Sequence, residues 1–282
     1  MMSNEKEPLS DSVTKGNVYA IPRIVTDVNS CYFYHTMDIP GHGTVKGEWN
    51  LHPNVKDYYG NVDFKGKRVL EIGTSSGFGC FTMEKWGAEV TAFDLSPVYS
   101  WDIVPFHGTD YRQIIWNMKQ WIEKVNNAFW FCHGAFKSRA RVVYGTVYAI
   151  PGEIGMVDIA TACSVLLHVR DPFLALHNAC TLVKDTIIVT DVIPEYIIKD
   201  KTSQIFFRPA LRLPRNASDV NATWWYLPPE IIVDFLGVLG FEETRVTHHK
   251  QLWEKKDDNT YSEVPFYTVV GHRRLPEDRV KV

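Results

Sequence analysis

Between residues 67 and 192 the chain alternates short, almost continuous apolar runs with longer stretches of helical period. "KRVLEI" predicts a buried strand, and "FGCFTMEKWG" a helix that stops at Gly87. "AEVTAFDL" predicts a second strand. Ile115, Met118, Ile122, Val125 and Phe129 then recur at helical spacing, which predicts a long helix from about Gln113 to Ala135. "ARVVYG" and "MVDIATAC" are two further buried strands. "DPFLALHNACTLV" follows as a helix, with Asp171 as N-cap and Pro172 in the first turn. "DTIIVTDV" is a fifth strand. Strands that alternate with helices imply a parallel, doubly wound sheet.

The two ends of the chain break this alternation. "PPEIIVDFLGVLG" predicts a helix closed by Gly240, and "ETRVTHHKQLW" and "VPFYTVVGH" come next, parted by the turn-like "EKKDDNTYSE". Two successive strands make a hairpin, so the sheet should end in an antiparallel pair, where a dehydrogenase domain would place a sixth parallel strand. Residues 18–66 are rich in aromatics, Gly, Pro and His, with no sustained period, and read as a cover wrapped on the domain. Residues 1–17 read as a flexible tail, and residues 67–282 as the catalytic domain.

Composition narrows the class of function. The chain has 282 residues, 45% apolar and 22% charged, as ordinary globular proteins do. A net charge of −3 and a pI near 6.4 leave no electrostatic footprint for nucleic acid. The five cysteines are widely spaced without a CxxC pair, which argues against a metal or redox centre. The polar N-terminus is unlike a signal peptide and no apolar run is long enough to span a membrane, so a cytoplasmic location is expected.

The chemistry concentrates after the first strand, in "VLEIGTSSGFG". Glycines fall at Gly73, Gly77 and Gly79, but Ser75 stands where a dinucleotide site places the glycine that lets the backbone approach a pyrophosphate. S-adenosylmethionine (SAM) has no phosphate, and a small polar residue suits it. Thr74 belongs to the same turn. Glu71 can orient the turn and reach the amino end of the cofactor through water. Asp94, 17 residues after Gly77 and followed by Leu95, can accept both hydroxyls of a ribose, a feature that SAM and NAD share. Thr146 and Val147 in "YGTVYAI" are placed for adenine, and the fourth strand brings Ser164 and His168 to the carboxyl edge. His168 and His35 are candidate general bases, an imidazole being suited to proton transfer near neutral pH. The alternative for His168 is a local structural role.

Tyr34 and Trp49 of the cover, with Asn221, Trp224 and Trp225, are expected to bind the acceptor; the competing reading has the last two pack the final helix onto the sheet. Trp116, Trp121 and the "FWF" at 129–131 read as core before substrate platform. His248 and His249 point to opposite strand faces, which excludes joint chelation of a metal; they read as a solvated strand.

The segments "GKRVLEIGTSSGFGCFTMEKWGAEVTAFDLS", "VVYGTVYAIP", "VDIATACSVLLHVRDPFLAL" and "TWWYLPPEIIVDFLGVLGFEETRV" resemble the class I SAM-dependent methyltransferases. Within them "SVLLHVRDP" is similar to the branch of the tRNA wobble-uridine (mo5U34) methyltransferases. The resemblance implies a Rossmann-like, seven-stranded sheet with a terminal hairpin, and SAM as cofactor. It places Glu71, Gly73, Ser75 and Gly77 on the cofactor loop, Asp94 on the ribose, Thr146 and Val147 at adenine, and Ser164 after the fourth strand. Where the tRNA enzymes carry a basic Trp-Arg-Lys-Gly segment, this chain has "YHTMDIPGHGTVKGEW". The expected reaction is therefore methyl transfer to oxygen or nitrogen of a small molecule. A tRNA acceptor and a non-catalytic SAM-binding scaffold are the alternatives.

Overall fold

The computed structural model describes residues 17–104, 110–200, 204–208, 222–255 and 260–273. In the cover, β1 is Met37–Ile39, β2 Gly43–Val45 and β3 Trp49–Asn50. The regular alternation supplies β4 (Arg68–Ile72), β5 (Glu89–Asp94), β6 (Arg141–Tyr144), β7 (Val157–Cys163) and β8 (Val183–Val192). Two short strands, β9 (Phe206–Phe207) and β10 (Trp225–Tyr226), precede the hairpin of β11 (Glu243–Lys255) and β12 (Thr260–His272). The helices are α1 (Val55–Tyr58), α2 (Phe78–Lys85), α3 (Tyr111–Phe136), α4 (Pro172–Cys180), α5 (Glu195–Asp200) and α6 (Pro229–Val238).

The main sheet has the order β3-β11-β12-β8-β7-β4-β5-β6. Strands β4 to β8 pair in parallel, and β12 and β11 extend the sheet antiparallel. The winding reverses between β4 and β7, and ligands of open α/β sheets sit outside the strand ends at such a switch point. Each central strand reads as a continuous apolar run because helices cover both faces. Leu70 and Ile72 of β4 join the core under α4 and α6, whereas Val69 joins the core under α2 and α3. Asp110 caps α3 through the amides of Arg112 and Gln113, and Asp171 caps α4 through that of Leu174 at 2.9 Å.

Three details depart from the sequence expectation. The sheet has an eighth strand: Trp49 and Asn50 of the cover pair with Trp253 and Leu252 at one edge. Two residues carry no period, so nothing in the pattern marks β3. At the opposite edge Tyr19 bridges Val143, and the Ala20 amide donates to the Val142 carbonyl at 2.8 Å. The hairpin is also longer than its apolar pattern, with ladder pairs from Glu243–His272 out to Lys255–Thr260, since backbone pairing continues after burial stops. Finally, His248 is exposed as expected but His249 is turned inward. It stacks on Phe266 at 5.9 Å and bonds Thr268 Oγ1 at 2.9 Å, and burial lowers its pKa to about 4.

Candidate functional site

The turn from β4 to α2 is left-handed at three positions, with φ of +76° at Gly73, +52° at Ser75 and +91° at Gly77. A side chain at Gly73 would also collide with Val165. Ser75 pays for its conformation with a short hydrogen bond, its amide donating to Asp94 Oδ2 at 2.6 Å. The Leu95 amide donates to Oδ1 of the same carboxylate at 2.7 Å. Burial raises the Asp94 pKa to about 6, against the lowering effect of those two amides. Asp94 is thus fixed in orientation, with lone pairs left to accept hydroxyls. The Ser75 hydroxyl is buried without a hydrogen-bond partner among the described residues.

These residues face a cavity of about 960 Å³, at the upper end of the usual range for small-molecule sites. Gly73, Ser75, Asp94, Leu95, Thr146 and Val147 line it on one side. Ser164 joins them from the end of β7, at φ +55°, with its hydroxyl 3.3 Å from that of Tyr58. Glu71, Thr74 and Gly77 do not line the cavity. Glu71 is buried behind the turn, where it accepts from Thr74 Oγ1 at 2.6 Å, and burial lifts its pKa to about 7. The sequence gives a carboxylate at that position but not its direction. In the structure it braces the turn and does not reach into the cavity.

Both candidate histidines line the cavity, with different hydrogen-bonding surroundings. His168 Nδ1 lies 2.6 Å from the Ala222 carbonyl, so Nδ1 carries the proton and Nε2 keeps its lone pair. Burial lowers its pKa, partly offset by that hydrogen bond. His35 sits against Phe78 with Nδ1 buried and unpartnered among the described residues, and burial drives its pKa down to about 3. An imidazole that weakly basic is a poor proton acceptor at neutral pH. The two differ in that the Ala222 carbonyl fixes the His168 tautomer, whereas His35 Nδ1 has no such partner among the described residues.

The other side of the cavity comes from remote segments. Tyr34, Glu48 and Trp49 of the cover line it, with Trp49 Nε1 donating to the Tyr34 hydroxyl at 3.2 Å. Trp101 and Trp121 meet edge to face at 4.8 Å. The aromatic helix divides accordingly: Phe129, Trp130 and Phe131 are core, Trp116 is exposed, and Trp121, expected as core, belongs to the cavity wall. Trp224 and Trp225 do not line the cavity. Trp224 Nε1 donates to the Asp102 carbonyl at 2.8 Å, and Trp225 Nε1 to the Val169 carbonyl at 3.0 Å, so both brace loops whose residues line the cavity without lining it themselves. Asn221 lies outside the described residues.

Asp102 is a rim residue that sequence reasoning passed over. Its carboxylate accepts from the Tyr148 hydroxyl at 2.5 Å and the Arg170 amide at 2.8 Å, and pairs with the Arg170 side chain. It ties together the loops that follow β5, β6 and β7. No spacing rule reveals such a tie, because its partners lie 46 and 68 residues away.

Five parallel strands wound about a switch point, followed by an antiparallel pair, decide the architecture. The fold is that of the class I methyltransferases. The solved N-terminal domain of EvdMO1 with SAH bound is similar to this chain, with 16% identity, a TM-score of 0.51, and 86% of this chain and 92% of that one covered. The same domain in the presence of SAH and D-fucose gives a TM-score of 0.50, with 16% identity and coverage of 86% and 91%. No protein-family model matches the chain, and no curated protein matches it in sequence. No helix among the described residues is long and apolar enough to cross a membrane, and no group of three His, Cys, Asp or Glu among them could hold a metal ion.

Proposed function

We propose that this chain is a SAM-dependent methyltransferase that acts on oxygen or nitrogen of a small-molecule acceptor. The observation that carries this reading is the Ser75–Asp94 arrangement: an oriented carboxylate beside an unpartnered buried hydroxyl, on the wall of a cavity that His168 shares. Asp94 would accept the ribose hydroxyls, Thr146 and Val147 would flank adenine, and Ser75 with Ser164 would meet the polar end of the cofactor. The EvdMO1 domain, which has SAH bound, supports the choice of cofactor through its fold.

Bound SAM supplies a methyl group on a sulfonium, an excellent leaving group for in-line displacement. The protein's part is alignment and water exclusion, worth several kcal/mol in well-oriented reactions. His168 Nε2 takes the proton that a hydroxyl or ammonium acceptor must lose, and the cover, through Tyr34 and Trp49, closes the cavity from solvent. The resemblance of "SVLLHVRDP" to the tRNA wobble-uridine branch supports a second reading with the same cofactor and an RNA acceptor. Aromatic cover residues in place of a basic approach favour the small molecule. Calorimetry with SAH and NAD tests the main reading; tighter binding of NAD would sink it. Salt-sensitive binding of tRNA would favour the second reading.

A further inference from the structure

The charged groups around the cavity are not equally provided for. Asp102 is paired with Arg170, Glu48 accepts from the Tyr32 hydroxyl, and Asp94 accepts from two amides. Arg208, which follows β9, also lines the cavity. Its amide is fixed to the Trp224 carbonyl at 2.8 Å and its guanidinium lies 4.8 Å over the Tyr226 ring, so the side chain is held in place from below. Yet its Nη1 is buried without a hydrogen-bond partner among the described residues. Asp191 feels the charge of Arg208, but Asp191 is itself buried, is bonded to the Val192 amide at 2.7 Å, and lies outside the cavity wall. A buried, unsatisfied guanidinium N–H is costly, and an oxyanion that can accept from its fork is the partner its geometry suits.

The position of Arg208 says which ligand it serves. Trp224, which accepts from its amide, in turn donates its own amide to the Leu167 carbonyl at 2.7 Å, next to His168, whose Nδ1 meets the Ala222 carbonyl. Arg208 therefore belongs to the side of the cavity where the base and the cover meet. The flat walls there are Trp101 against Trp121, and Trp49 against Phe266 at 5.4 Å. Building on the methyltransferase reading, we propose that the acceptor is a small aromatic compound with an anionic oxygen group, carboxylate or phosphate, which Arg208 holds beside His168. Arg208 is then the residue that selects the acceptor.

The test uses the full chain saturated with SAH and three fluorinated probes, followed by 19F NMR: 4-fluorobenzoate, 4-fluorophenyl phosphate and the neutral 4-fluorobenzamide. An anionic probe should bind at least about 10-fold more tightly than the amide, and the tighter of the two names the group. Arg208→Gln should weaken that anion by about 10- to 100-fold, with the amide and SAH unaffected, and Arg208→Lys should recover part of the loss. Equal binding of anions and amide, no binding of either anion, or an unchanged anion in Arg208→Gln overturns the proposal. A loss of SAH affinity in Arg208→Gln also overturns it, by assigning Arg208 to the cofactor, and leaves the methyltransferase reading intact. Failure of the wild-type chain to bind SAH defeats both.

Discussion

The two sides of the cavity are built on different principles. On the turn side, Gly73, Ser75, Asp94 and Leu95 come from consecutive β-α connections, and the key contacts are backbone amides on one carboxylate. On the cover side, Tyr34, Trp49, Trp121, His168 and Arg208 come from four separate stretches of chain, and side chains make the surface. Backbone geometry at strand ends is tied to the sheet and tolerates little change. A wall of remote side chains can be altered one residue at a time without disturbing the sheet. The turn side is suited to a constant ligand and the cover side to a particular one.

The sharpest way to break this contrast is His168→Asn. The substitution keeps a hydrogen-bonding side chain but removes the base, so kcat should fall about 100-fold or more while SAH affinity stays nearly intact. The pH profile carries the sign. His168 must be neutral to act, and burial lowers its pKa below the usual 6.5, so wild-type activity is full above that pKa and lost as pH falls through it. The acidic limb should vanish in the variant. If SAH affinity and kcat fall together, His168 is a structural tie and the two sides are not independent. Asp94→Ala makes the opposite cut: SAH affinity should drop about 10- to 100-fold through loss of charge-assisted hydrogen bonds, as calorimetry can read. An unchanged dissociation constant would remove Asp94 from the cofactor site.

Asp102→Ala probes the seam between the sides. Untying the loops that follow β5, β6 and β7 should raise the acceptor KM several-fold, and speed amide exchange around Tyr148 and Arg170 with little change at Gly73. The smallest effect concerns stability. Burial raises the Asp191 pKa to about 7, so between roughly pH 4 and pH 7 the folded chain holds a proton that the unfolded chain has released. Stability from this group is present at low pH and lost as pH rises through that window. Asp191→Asn should flatten the decline, with a gain in Tm at neutral pH of about 2–4 °C for each kcal/mol recovered. A Tm profile identical to wild type would show Asp191 to be ionised and satisfied.

The turn side was legible in the sequence because its signals are local. Apolar runs gave the strands, Gly73 and Gly77 marked the turn, and Asp94 followed at a fixed distance. What the spacing did not carry was direction: Glu71 braces the turn, as read from the sequence, but does not itself line the cavity. The cover side was legible only in part. Tyr34, Trp49 and both histidines, singled out in the sequence, line the cavity, but Trp224 and Trp225, placed there because their stretch falls outside the sheet pattern, have indoles that brace loops. Arg208 and Asp102 were missed because contacts between distant segments leave no period.

The cover has a consequence for the protein's solubility. An open sheet has two exposed edges, each able to template strand addition by another copy. Here one stretch of chain occupies both, Ala20 bonding Val142 at the β6 edge and Trp49–Asn50 pairing with β11 at the other. The residues between them supply Tyr34 and His35 to the cavity. Detachment of this belt would free the edge positions it pairs in the same event that removes Tyr34 and His35 from the cavity wall, so loss of the cavity wall and exposure of pairing edges are coupled.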